Sequence, residues 1–248
     1  PRDWSSDVCS SDLSKAYDGT TSSAGTPTIT TGSLATGDSV TWTQTYDTAN
    51  AGTGKTLTPA GTVSDGNAGA DYAVTYATVT TGAITPKTLT ATVTTQNRAY
   101  DGTTDGTITG CTLSGVIGTE DVTCVTSGAT ATFDTKHIGT AKSVTIAGLT
   151  TGGSATLANY TLASGASSSA NITTRAITVT ATTGSKAYDG TTSSAGTPTI
   201  TTGSLASGDS VTWTQTYDTA NAGTGKTLTP AGTVSDGNAG ADYADRKS

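Results

Sequence analysis

A chain of 248 residues with 12 basic and 19 acidic side chains carries a formal net charge of −7, which excludes the basic face that nucleic acid or anionic lipid requires. Charged residues make up 12% and aromatics 5%, with a single Phe, and no apolar run approaches the ~18 residues of a membrane-spanning helix. Thr, Ser, Gly and Ala supply most of what remains, a composition of exposed strands and turns.

The chain opens on R-D-W-S-S-D-V-C-S-S-D-L, residues 2–13, and closes on D-R-K-S, residues 245–248. The codons GAT CGG AAG AGC for the closing four are the reverse complement of GCTCTTCCGATC. That string lies inside TGC TCT TCC GAT CTN, which encodes residues 9–13. The two ends therefore resemble one sequencing adapter read in both directions. Residues 1–13 and 245–248 are expected to be non-native, Trp4 and Cys9 among them. Without these ends the basic and acidic counts fall from 12 and 19 to 9 and 15, a net charge of −6. Met is absent, and the native chain is expected to continue in both directions.

Between the ends the chain repeats itself. Residues 14–73 and 185–244 are identical except for Thr36 against Ser207. Tyr17, Tyr100 and Tyr188 head three copies of K/R-A-Y-D-G-T-T, spaced 83 and 88 residues apart. The middle copy is diverged but follows in order. Y-D-T-A-N-A-G-T-G-K-T-L from Tyr46 answers F-D-T-K-H-I-G-T-A-K-S-V from Phe133. D-Y-A-V from Asp71 answers N-Y-T-L from Asn159, and A-I-T-P-K-T-L-T-A-T-V from Ala83 answers N-I-T-T-R-A-I-T-V-T-A from Asn171. Solenoid repeats run about 20–50 residues, so this longer period predicts tandem domains. Their expected bounds are 14–87, lacking its first strand, 88–173, complete, and 174–244, lacking its last strands.

Each copy reads as strands. V-T-W-T-Q-T-Y from Val40 sets Val40, Trp42 and Tyr46 inward and threonines outward. A-I-T-V-T-A-T from Ala176 alternates in the same way, the period of a half-buried strand. D-G at Asp18, T-G-D at Thr36 and S-D-G-N-A-G at Ser64 interrupt the runs as turns, and no segment carries a helical stripe. About seven short strands in ~85 residues predict an all-β fold of tandem immunoglobulin-like β-sandwiches. A β-grasp-like mixed sheet is the alternative. I-T-P-K-T-L-T-A-T-V joins one copy to the next without a Gly/Ser linker, so a stiff rod is expected.

The ordered series K-A-Y-D-G-T-T, G-D-x-V-T, Y-D-T-x-N-x-G-T-G-K, N-Y-T-L and N-I-T-x-R-x-I-T-V-T-A resembles the bacterial YDG domain. The glycine-rich MBG repeats share that rhythm. The resemblance covers nearly all of residues 14–244. It implies a non-catalytic module of a secreted, surface-exposed exoprotein like the filamentous haemagglutinins, used as the stalk of an adhesin. It also implies neighbouring repeats as the first partners. Direct binding of host glycan or protein by the repeats is the rival reading.

Individual motifs have plain structural readings. In Tyr17-Asp18-Gly19, Tyr100-Asp101-Gly102 and Tyr188-Asp189-Gly190 the ring is expected to pack on the core while Asp-Gly turns, with Gly at positive φ. The only histidine, His137, aligns with Asn50 and Asn221 and reads as a turn residue. Asp47, Asp134 and Asp218 are expected at a hairpin end, away from any second carboxylate. G-T-G-K-T at Gly52 lacks the first glycine of a phosphate-binding loop. No catalytic, cofactor or metal residue is expected. Calcium at D-G-N-A-G-A-D from Asp65 has a thin case, because the matching segment at Thr151 carries no carboxylate. Lys55, Lys142 and Lys226 are candidates for isopeptide crosslinks, with no buried acid marked for them. Cys111 and Cys124 would face each other if their strands formed a hairpin whose paired positions sum to 235, which makes them a candidate disulfide beside the alternative of two free thiols. Threonine arrays on flat strands raise ice or sugar binding, but an 85-residue period gives no ladder in register.

Overall fold

The computed structural model describes residues 13–247 and, as backbone, the two-residue strand Ser6–Asp7. Trp4 and Cys9, expected to be non-native, lie outside the described residues. The fold is all β. Among the described residues the one helical turn is the 3₁₀ segment Leu157–Asn159.

The middle copy shows the full strand plan. Its larger sheet has five strands in the order Arg98–Ala99, Ser167–Thr173, Gly139–Ala147, Thr130–Phe133, Asp105–Gly106. A smaller sheet sets Lys87–Thr95 between Ile108–Ser114 and Tyr160–Leu162. A ribbon pairs Thr123–Val125 with Thr150–Gly152. Pairing is mixed. The strand just before Y-D-G runs parallel to Ser167–Thr173, with Arg98 opposite Ile172, and Tyr160–Leu162 runs parallel to Lys87–Thr95. Alternation places Ala131, Phe133, Val144, Ile146, Ala170 and Ile172 inside and leaves the intervening Thr and Ser in solvent.

The hairpin expected around the two cysteines does not form. Ile108–Ser114 pairs with Lys87–Thr95, and Thr123–Val125 pairs with Thr150–Gly152. The segment between them is too irregular for a tight turn, and each strand has a better partner from the repeat's own plan. Cys111 and Cys124 are nonetheless both disulfide-bonded.

Contacts gather the chain into two compact units that do not coincide with the sequence repeats. The first unit is Pro1–Ala91 with Thr112–Val125 and Thr150–Ser164. It holds a four-stranded sheet in the order Ser14–Ala16, Val79–Thr85, Gly52–Ala60, Thr43–Tyr46. Its core joins Tyr17, Tyr46, Leu57 and Ile84 of the first copy to Leu89 and Tyr160 of the second. Along Thr43–Tyr46 the expected alternation holds, with Tyr46 buried and Gln44 buried beside it. Trp42 is only half-buried and meets Tyr76 edge to face at 6.0 Å, so its inward placement is partial. Its ring lies so close over Gly61 that a Cβ there would come within 2.6 Å.

The second unit is Thr92–Cys111, Thr126–Leu149 and Gly165–Ser248. It contains the five-stranded sheet of the middle copy. It also contains the sheet Thr199–Thr202, Arg175–Thr180, Tyr243–Lys247 of the third.

Candidate functional site

The seven signature residues build one small rigid loop, three times over. Asp18 Oδ1 accepts from Thr20 N at 2.9 Å, from Thr20 Oγ1 at 3.0 Å and from Lys15 Nζ at 2.7 Å. Lys15 also donates to Thr20 O at 2.7 Å. The third copy repeats these bonds through Lys186, Asp189 and Thr191, and there the lysine contact brings the Asp189 carboxyl down to about 2. In the middle copy Arg98 takes the lysine's place beside Asp101. The glycines turn at φ +79°, +86° and +75°, a region that costs other residues about 1–2 kcal/mol. So the Asp-Gly turn forms as expected in every copy.

The tyrosine ahead of that turn behaves otherwise. Tyr17 Oη donates to Glu120 Oε1 at 2.5 Å. Tyr160 Oη donates to Glu120 Oε2 at 2.8 Å and accepts from Ile117 N at 3.0 Å. The two rings meet edge to face, 5.4 Å apart at 79°, an arrangement worth about 0.5–1.5 kcal/mol beyond the area it buries. Beside them Asn159, 1% exposed, accepts from Ala51 N at 2.8 Å and donates to Asn50 Oδ1 at 3.0 Å. Glu120, Asn159 and Tyr160 belong to the second copy; Tyr17, Asn50 and Ala51 belong to the first.

The next boundary repeats the arrangement. Tyr100 Oη donates to Asp209 Oδ1 at 3.3 Å, and Tyr243 Oη donates to Asp209 Oδ2 at 2.7 Å while accepting from Ala206 N at 2.7 Å. The rings lie 5.6 Å apart at 73°. Asp242, fully buried, accepts from Ile138 N at 2.9 Å and sits 2.6 Å from His137 Nδ1. Arg175 Nη1 adds a bond to Tyr100 O at 3.3 Å. Even the signature glycines take part. A Cβ on Gly19 would meet Ile117 Cγ2 at 3.1 Å, and one on Gly102 would meet Ala206 Cβ at 3.2 Å.

These contacts extend two expectations. The signature tyrosine packs on a core that its own copy shares with the following one, Tyr17 with Tyr46, Leu57 and Ile84 as well as Leu89 and Tyr160; Tyr17 is 5% and Tyr100 0% exposed, whereas Tyr188 is 71% exposed. And His137 is no mere turn residue, because it pairs with Asp242 where Asn50 pairs with Asn159. That paired change, Asn with Asn but His with Asp, was the one signal within the sequence that could have found the contact.

The family model of the YDG domain matches residues 7–81, 85–169 and 173–246. The chain belongs to the YDG-domain family. No curated protein and no solved structure matches it. In this chain each signature Y-D-G of the first two YDG copies thus serves a clasp with the copy that follows, built from an acid, a tyrosine and an Asn or Asp.

The clasp leaves its mark on the tyrosine hydroxyls. The Glu120 hydrogen bond, with burial behind it, lifts Tyr17 from 10.0 to about 12. Burial first, and then Asp209, lifts Tyr243 to about 12 and pushes Tyr100 up as well. Tyr160 is raised mainly by burial.

The remaining candidates of the YDG repeats fall into turns. Asp47, Asp134 and Asp218 each accept from the next residue's N–H at 2.8–2.9 Å. The carboxylate of Asp65, read for calcium, is engaged by Asn67 N, Gly69 N and Asp71 N. The Gly69 bond leads in holding it below the usual range. Asp236 is built in the same way onto Asn238, Gly240 and Asp242. Lys142 Nζ lies 2.8 Å from Asp134 at the hairpin end, and Lys55 and Lys226 bond Thr48 and Thr219 there.

Proposed function

We propose that this chain is the stalk region of a secreted or surface-exposed bacterial adhesin-like protein and carries out no catalysis. The observation behind this reading is the clasp built twice from equivalent residues, Tyr17–Glu120–Tyr160 and Tyr100–Asp209–Tyr243. A module whose hallmark residues are spent on gripping the next module is suited to transmitting length and force. Nearest-neighbour coupling of this kind makes an array stiffer and more cooperative than beads on a string. Cys111 and Cys124, each disulfide-bonded, suit an oxidising, extracellular setting. Small-angle scattering on the intact chain tests the reading. Its largest dimension should shrink and broaden when Tyr17 and Tyr100 are both changed to Ala; an unchanged profile overturns the stalk.

The rival reading, adhesion through the repeats themselves, has one supporting observation. Tyr76 is 40% exposed and lies against half-buried Trp42, an aromatic surface of the kind sugars stack on. Titration of Trp fluorescence with a glycan panel, on the chain and on Trp42→Ala, separates it from the stalk. A saturable quench lost in the variant favours adhesion.

A further inference from the structure

The two clasps follow one plan with different letters. The segment that reaches the following copy reads D-T-A-N-A in residues 47–51 and D-T-K-H-I in residues 134–138. Ala49 and Asn50 thus give way to Lys136 and His137, and what they face changes with them. At the first boundary the buried partner is neutral. Asn159 accepts from Ala51 N at 2.8 Å through Oδ1 and donates from Nδ2 to Asn50 Oδ1 at 3.0 Å.

At the second boundary the same place holds a fully buried acid, Asp242. Its Oδ1 accepts from Ile138 N at 2.9 Å and from Asn238 Nδ2 at 3.0 Å, and its Oδ2 lies 2.6 Å from His137 Nδ1. A carboxylate only accepts, so His137 Nδ1 is the donor. Beside it Lys136 Nζ lies 3.8 Å from Asp209 Oδ1, on a side chain that is 2% exposed, and 5.8 Å from the centre of the Tyr100 ring. A lysine and a histidine of the middle copy therefore meet two buried acids of the third. Buried charge turns this fit into a choice, because a carboxylate out of water is costly unless it is paired and hydrogen-bonded. An Asn in the place of Asp242, bonded as Asn159 is, would keep its Oδ1 on Ile138 N and turn its Nδ2 toward His137 Nδ1. Donor would then face donor, unless the ring moved its proton to Nε2 and gave up the charge-assisted bond.

We propose that Lys136 and His137 make this segment a selector: it fits a following YDG repeat that presents two buried acids, as Asp209 and Asp242 do, and disfavours one that presents Glu and Asn, as Glu120 and Asn159 do. The middle copy is of the second kind, so it is matched to a following copy of the other kind and not to a duplicate of itself. The uncharged Ala49-Asn50 segment seats the Asn-bearing kind. Neighbour choice is thus written in the residue pairs at each boundary, and it sets the alternating order of the copies.

The test uses the whole chain and reads hydrogen exchange at the Ile138 amide, which Asp242 Oδ1 holds. Asp242→Asn gives the third copy the residue of the Asn-bearing kind and should speed that exchange about tenfold, the scale of coupling between contacting residues. His137→Asn alone should speed it as well. The double variant sets Asn opposite Asn, the pair of the first boundary, and should return to within about threefold of the native rate. Loss of packing alone is not repaired by a second substitution. The first boundary supplies an independent set, read at the Ala51 amide: Asn159→Asp should speed exchange there, and adding Asn50→His should reverse it. Native exchange in Asp242→Asn overturns the proposal. So do double variants whose rates are the product of the single effects, since the paired residues then make no choice between neighbours.

Discussion

Residues 14–73 and 185–244 are one sequence in two settings, differing only at Thr36 and Ser207, and they bury different parts of themselves. Tyr17 is 5% exposed and Tyr188 71%. Gly19 would press a Cβ against Ile117, whereas Gly190 has nothing within 4 Å. The opposite face reverses the pattern. Tyr243, Asp242 and Ala206 are buried, while Tyr72 is half-buried and Asp71 and Ala35 are exposed. Yet the local geometry is already in place in the first copy, where Tyr72 Oη donates to Asp38 Oδ2 at 2.6 Å and accepts from Ala35 N at 2.8 Å. The same two bonds hold Tyr243. A YDG repeat thus preforms both halves of a clasp, and the core it shares with its neighbour supplies the burial. The energetic unit straddles two sequence repeats, and each compact unit carries one clasp.

The comparison breaks most sharply at the tyrosine. Tyr100→Ala removes a fully buried ring, its edge-to-face partner and a bond to Asp209, and should cost about 3–5 kcal/mol. Tyr188→Ala, the same letter in the same heptapeptide, should change stability by no more than about 0.5 kcal/mol. Denaturant unfolding of the two variants checks the pair. Equal losses would mean that the burial seen at Tyr100 adds nothing to stability beyond what the exposed ring at Tyr188 has.

Glycine sharpens the same contrast at smaller scale. Gly102→Ala incurs the positive-φ penalty and also drives a methyl against Ala206 Cβ at 3.2 Å and Ser207 O at 3.3 Å. Together these should cost about 2–4 kcal/mol. Gly190→Ala meets open space and should show only the backbone share, about 1–2 kcal/mol. Thermal unfolding distinguishes the two, since the difference between them measures the contact with the next copy.

The strands, the turns and the three-fold repeat were legible because they depend on local rules: period-2 alternation, Asp-Gly turns and copying of the sequence itself. The clasp was hidden for a physical reason. Whether Tyr17 or Tyr188 is buried is decided by residues far along the chain, in the strands of its own copy and in the copy that follows, and the heptapeptide is identical in both. Glu120 and Asp209 sit in G-T-E-D and S-G-D-S, which read as exposed turn residues when taken alone. Asp236 and Gln215 show a related gap. Both are 2% exposed, although their residue types favour the surface; backbone N–H groups satisfy the first, and Thr182 and Ser194 satisfy the second. The hairpin expected around the cysteines does not form, because a strand's true partner cannot be chosen from alternation alone.

The finest cut removes one oxygen. Tyr17→Phe keeps the ring against Tyr160 and loses only the bond to Glu120, which should cost about 1–2 kcal/mol at neutral pH. The hydroxyl's pKa in the folded chain is raised to about 12 from an ordinary 10.0, so folding favours the protonated form. Its contribution is therefore whole below pH 10 and is lost as the pH rises toward 12. The gap in melting temperature between the native chain and Tyr17→Phe should accordingly stay constant from pH 7 to about 9.5 and narrow beyond it. Tyr188→Phe, with its ring 71% exposed, is the control variant. The absence of any gap at neutral pH would show that the Tyr17 hydroxyl contributes nothing to the clasp and that ring packing alone holds the two copies together.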